Sequence, residues 1–200
     1  MIVKPNYLAS WMSYIRTTPE DKRFLECFWD SQLNSKSWLI DQLKSINPSI
    51  KNIAIFGGWY GILAQLFEMN FSDIKSIETV DIDPLCTRVF NDSINISNTS
   101  KAVASCMSLY IYNNDIDCVI NTSTEHVDQD VYKKWWDNIP TGCMYVIQGN
   151  NFPIREHIRI SLSLDRFLND NLVNNPLYSG KILCPGPDGE FERYMAIAYK

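Results

Sequence analysis

From residue 51 onward, five short apolar runs alternate with stretches of helical periodicity, and no other feature of the chain constrains its fold as tightly. The strand-like runs cover residues 51–56, 75–82, 101–106, 117–121 and 143–148, with helices expected over 60–70, 84–94 and 130–138. Strands that alternate with crossover helices imply a parallel sheet covered on both faces. Two more strand-like runs, SGKILCP and ERYMAIAYK, close the chain and are separated by Pro-Gly-Pro-Asp-Gly. That separator is turn chemistry, so the last two strands are expected to pair as an antiparallel hairpin. The expected fold is therefore α/β, with a mostly parallel seven-stranded sheet between two helical layers.

The first fifty residues read as helices. Thr18-Pro19-Glu20-Asp21 has the form of an N-cap, a proline at the first helical position and an acidic first turn. Behind it, Leu25, Phe28, Trp29, Leu33, Leu39, Ile40, Leu43 and Ile46 recur at steps of three and four, an amphipathic stripe that Asn47-Pro48 ends. A shorter helix is expected around residues 8–15. Late in the chain, Ser163 is placed to cap a short helix over 164–169. With 200 residues, 46% of them hydrophobic, the chain reads as a single domain, residues 1–49 forming a helical extension to a core of residues 50–200.

A net charge of −5 gives solubility without a strong field and argues against a large nucleic-acid footprint, which needs clustered Lys and Arg. The six cysteines are scattered with no C-x-x-C pair, as free thiols in a reduced cytoplasm are. The N-terminus has no signal-peptide core, and no apolar run reaches the roughly 18 residues of a membrane span. With only His126 and His157, and no spaced Cys/His cluster, no metal site is expected.

Of the chain's 8 glycines, Gly57, Gly58 and Gly61 fall in the segment IAIFGGWYG, directly after the first strand. A glycine-rich turn between a strand and a helix lets backbone approach a ligand that side chains would exclude. The next strand ends in IETVDIDP, with Asp81 at its tip, where an acidic side chain can accept both hydroxyls of a ribose. Asp83-Pro84 reads instead as the start of the following helix.

Taken together, IAIFGGWYG, IETVDIDP, DIDCVINTSTEHV and the terminal hairpin resemble the ordered motifs of class I S-adenosylmethionine-dependent methyltransferases, which have a Rossmann-like fold. The pairing of GGWYG with Asn-Thr-Ser-x-Glu-His further resembles a small group of phage-associated methyltransferase-like proteins. The resemblance covers residues 50–200. It implies S-adenosyl-L-methionine as cofactor, with Gly57, Gly58, Trp59 and Gly61 passing its methionine portion. It also implies Asp81 on the ribose, Ile82 beside adenine and Met107 at the end of the third strand. The family's acidic residue at that third-strand position is replaced here by Cys106-Met107.

The acceptor is expected over the carboxyl ends of the fourth and fifth strands, around NTSTEH and QGNNF. The resemblance implies that Asn121 faces the transferred methyl. Its segment lacks the two prolines and aromatic of D/N-P-P-Y/F, so methylation of nucleic-acid amines is disfavoured. Glu125-His126 is an adjacent acid–imidazole pair, read either as a general base or acceptor contact, or as loop caps before the next helix. Gln148, Asn150 and Asn151 are read equally as acceptor contacts or plain loop polarity, and Trp135 and Trp136 as core aromatics. The reading that leads is a methyltransferase acting on a small-molecule or protein acceptor. Another use of the same cofactor, lyase or hydrolase-like, and a non-catalytic interaction module stay open. A nicotinamide-dependent oxidoreductase fits less well, because G-x-G-x-x-G is missing. The sequence carries no reading of oligomeric state.

Overall fold

The computed structural model describes every residue except Asn114 and Asp188. Seven strands form one sheet: β1 (Asn52–Phe56), β2 (Ser76–Asp81), β3 (Ser100–Ala104), β4 (Cys118–Asn121), β5 (Met144–Asn150), β6 (Tyr178–Gly186) and β7 (Gly189–Tyr199). Their spatial order is β3-β2-β1-β4-β5-β7-β6. The first five pair in parallel, while β7 runs antiparallel between β5 and β6. The expected hairpin is present, with Lys181 opposite Tyr194 and Cys184 opposite Phe191. Asp188, in the expected turn, lies outside the described residues.

Period-two alternation sends the sheet's side chains into two separate cores. On one face Ile53, Ile55, Ile77, Cys118, Ile120, Val146 and Ile197 meet α1 (Pro5–Thr17), α2 (Lys22–Glu26), α3 (Asp30–Ile46), α4 (Ile62–Asn70) and α5 (Pro84–Val89). On the other, Ala54, Phe56, Val119, Tyr145, Ile147 and Tyr194 meet α6 (Gln129–Asn138) and α7 (Leu164–Asp170). All seven residues of β5 are buried, the pattern of a strand covered on both sides. Trp135 and Trp136 are buried in the second core, as read from the sequence. Ser163 caps α7 by accepting from the Arg166 amide.

The N-terminal segment departs from expectation. One long helix is replaced by α2 and α3, broken at residues 27–29. Asp21, not Thr18, is the cap, its carboxylate accepting from the Phe24 amide. The break turns Phe24 and Phe28 inward together, edge to face at 5.4 Å, which a continuous stripe would not allow. Trp29 and Leu25, expected on the buried stripe, are exposed instead. Asn47 does end α3, in the left-handed conformation (φ 52°) before Pro48. The helix expected over 84–94 changes pitch after Val89 into a single π turn, Phe90–Ile94. That turn seats Phe90 against the loop after β1.

Candidate functional site

The loop after β1 explains its glycines by close approach to the protein itself. A Cβ on Gly58 would stand 1.8 Å from the Thr79 hydroxyl oxygen of β2, and one on Gly61 would stand 2.2 Å from the Phe90 ring. Gly61 also has φ +70°, a conformation that glycine adopts without strain. A Cβ on Gly57 would stand 3.2 Å from the Ser123 Cβ of the loop after β4, so the first and fourth strand ends lie close together. Trp59 is the one non-glycine of this loop with positive φ, at 51°. Such a residue persists only where its surroundings hold it, and here its amide donates to Asp81 Oδ2 at 2.7 Å.

Asp81 ends β2 with both carboxylate oxygens engaged by backbone, Oδ2 as above and Oδ1 accepting from the Asp83 amide at 2.9 Å. Each oxygen keeps a further lone pair, so the group is oriented without being used up. Ile82 beside it is 75% exposed, an apolar surface at the sheet edge. Asp83 caps α5 by accepting from the Leu85 amide, as its Asp-Pro sequence indicated. That bond and the Arg23 guanidinium hold the Asp83 carboxyl below its ordinary range. Met107 lies in a 3₁₀ turn after β3, its sulfur 4.0 Å from the Asn121 side-chain amide.

The N-terminal helices reach this loop through α2. Tyr60, fully buried, donates to Asp21 Oδ1 at 2.8 Å, and Tyr14 donates to Asp21 Oδ2 at 2.8 Å. Arg23 pairs with Asp83 at 2.9 Å. Trp11 is buried, its indole N–H donating to Gln65 on α4.

At the ends of β4 and β5 a second group assembles. The 3₁₀ turn Thr124–His126 follows β4, with Thr124 donating to the Gln148 carbonyl at 2.8 Å. Glu125 is 3% exposed: Oε1 accepts from the Asn150 amide, whereas Oε2 is buried with no partner. Glu125 does not hold His126. The Nδ1 of His126 lies 3.1 Å from the Glu156 carbonyl, and its ring meets His157 edge to face at 4.5 Å between centroids. Neither residue caps the next helix either, because Asp128 does. Gln148 donates to the Ser35 carbonyl of α3, leaving Oε1 unpartnered, and Asn151 pairs with Glu192. Arg193 of β7, 4% exposed, reaches the Thr122 carbonyl at 3.5 Å while its Nε has no partner.

Arg193 was not singled out in the sequence, and His157 was read as structural or exposed; it is half-buried. Both lie far along the chain from Glu125: the β5–β7 pairing, with Asn150 opposite Arg193, brings in Arg193, and the loop after β5 brings in His157. Burial holds the His157 imidazole below its ordinary value. Lys36 on α3 is a second hidden group, its ammonium pushed down to about 8 by burial, with Cys27 and Arg193 nearby.

No protein-family model matches this chain, and no curated protein does. Solved structures match its fold. The N-methyltransferase NodS of Bradyrhizobium japonicum WM9, in complex with S-adenosyl-L-homocysteine, is similar at TM-score 0.67 and 8% identity over 96% of this chain and 99% of that one. The 1,6-didemethyltoxoflavin-N1-methyltransferase of Burkholderia thailandensis, with bound 1,6-didemethyltoxoflavin and S-adenosylhomocysteine, gives 0.60 and 15% over 100% and 92%. The S-adenosylmethionine-dependent methyltransferase SibL in its apo form gives 0.60 and 13%, this chain spanning 56% of its length. The fold is that of class I S-adenosylmethionine-dependent methyltransferases.

Proposed function

We propose that this protein is an S-adenosylmethionine-dependent methyltransferase acting on a small-molecule or protein acceptor. The observation that carries the reading is Asp81, a carboxylate fixed by two backbone amides at the tip of β2, directly beside the turn after β1. This is the crevice outside the carboxyl ends of the strands where open α/β sheets take their ligands. In this reading Asp81 accepts from the ribose hydroxyls, Ile82 covers adenine, and Met107 closes the adenine side. Gly57, Gly58, Trp59 and Gly61 line the methionine portion. Bound there, S-adenosylmethionine supplies a methyl group on a sulfonium. Asn121, buried at the end of β4 beside Met107, faces the methyl. Glu125 and His126 hold the acceptor. Such a transfer depends mainly on positioning, which suits side chains fixed at strand ends. The six free cysteines fit a reducing, cytoplasmic setting, and among the described residues no helix is long and apolar enough to cross a membrane.

Calorimetric titration with S-adenosylhomocysteine tests the assignment. The wild-type protein is expected to bind one equivalent. Asp81→Ala should lose charge-assisted hydrogen bonds of about 1.5–3 kcal/mol each, a tenfold or greater fall in affinity. Equal affinity in the variant would remove Asp81 from the site.

A further inference from the structure

We propose that Glu125, His126 and His157 bind a divalent transition metal of the zinc class, with an open coordination position that takes an oxygen of the acceptor. One donor atom of each side chain lies within 4.8 Å of the other two, and theirs is the one such trio found among the described residues. This departs from the sequence, in which two histidines separated by 30 positions gave no ligand spacing.

The hydrogen bonds around the trio are those of ligands. His126 Nδ1 faces the Glu156 carbonyl at 3.1 Å, and His157 Nδ1 faces the Phe152 carbonyl at 2.7 Å. A carbonyl can only accept, so each Nδ1 carries the proton and each Nε2 keeps a free lone pair. Backbone carbonyls fix metal-binding imidazoles in this way, setting tautomer and ring orientation together. The carboxylate is held likewise: Asn150 occupies Glu125 Oε1, and Oε2 is buried without a partner. A charged oxygen left so is costly unless something coordinates it.

Two imidazoles and one carboxylate suit zinc, cobalt or iron(II) better than magnesium, which prefers oxygen donors. Donors around zinc at about 2.0–2.1 Å stand roughly 3.4 Å apart. His126, exposed on a short 3₁₀ turn, can make the closing movement. Three protein ligands leave a fourth position free, as in catalytic zinc sites. The exposed His126 sets it toward solvent, beside the loop that lies close to Gly57. The buried Arg193 guanidinium opposes a cation here, and the Glu125 carboxylate offsets it. The acceptor's place at the metal rests on the methyltransferase reading; metal binding does not.

The test is titration of chelator-treated protein with zinc and with magnesium, plus the absorption spectrum with cobalt. We expect one zinc per chain, bound at least 100-fold tighter than magnesium. His157→Ala and Glu125→Gln, with wild-type circular dichroism, should each weaken zinc at least tenfold. The cobalt spectrum should lack a thiolate charge-transfer band. Absence of saturable zinc binding, wild-type affinity in His157→Ala, or a thiolate band pointing to the cysteines would each overturn the site. Titration with S-adenosylhomocysteine separates the two readings. Cofactor product bound without zinc overturns this site alone, and zinc bound without cofactor product overturns the methyltransferase reading alone.

Discussion

The two halves of the sheet's carboxyl edge are built on opposite terms. At the β1–β2 end, polar groups are matched within the protein: Asp81 takes two backbone amides, Asp83 caps α5, and Asp21 takes the hydroxyls of Tyr14 and Tyr60. The Thr79 hydroxyl, pressed under Gly58, is the exception. At the β4–β5–β7 end, Glu125 Oε2, Gln148 Oε1 and Arg193 Nε are all buried without partners. A matched end is preorganised and contributes stability. Unmatched buried groups cost stability, and they mark where a ligand would complete the set. Under the proposed function, the cofactor end is finished and the acceptor end is waiting.

The largest effect is expected from breaking the finished end. Gly61→Ala places a methyl against Phe90 at a positive φ, so urea denaturation should show a loss of about 2–4 kcal/mol. Wild-type stability would mean that Phe90 moves aside freely. Next is Asp81→Ala, which leaves the Trp59 and Asp83 amides without acceptors. A loss of about 2 kcal/mol is expected in the same measurement, with the fold retained.

On the waiting end, Lys36→Met tests a hidden charge beside Arg193 and Cys27. Burial lowers the folded-state value from 10.5 to about 8. Between pH 8 and 10.5 the unfolded chain therefore holds a proton that the folded one does not, and wild-type stability gains with pH over that window. Lys36→Met should be more stable than wild type at pH 7, by on the order of 1–2 kcal/mol, with the gap closing by pH 10.5. A gap independent of pH would place the ammonium in water. The smallest change is expected from Glu125→Gln, which keeps an acceptor for Asn150 in the same volume. Its stability should stay within about 1 kcal/mol of wild type, in contrast with Asp81→Ala. A loss as large as that of Asp81→Ala would erase the distinction between the ends.

The same division decides what could be read from the sequence. Strands β1, β4 and β5 were legible because burial on both faces writes a continuous apolar run, β2 and β3 were legible from alternating burial, and the turn residues wrote the final hairpin. Asp83 as a cap followed from Asp-Pro. At the β1–β2 end, Gly57 to Asp81 lie within one βαβ unit, so local spacing indicated that the glycine turn and Asp81 adjoin. At the other end, Glu125, Asn150, His157 and Arg193 meet only through strand order and the long loop after β5, neither of which has a local signal. The break at residues 27–29 escaped for a related reason. Helical periodicity records which residues are apolar, and it was the packing of Phe24 against Tyr60, at 5.2 Å, that took the chain off the stripe.

The division of the edge rests on where the cofactor sits, and a crystal structure of the protein grown with S-adenosylhomocysteine measures that directly. The account predicts ribose hydroxyls on the Asp81 carboxylate, adenine against Ile82 and the methionine end along residues 57–61, with Glu125 and His126 left uncovered. Density for the ligand over Glu125 and His126, or none at saturating ligand, would contradict it.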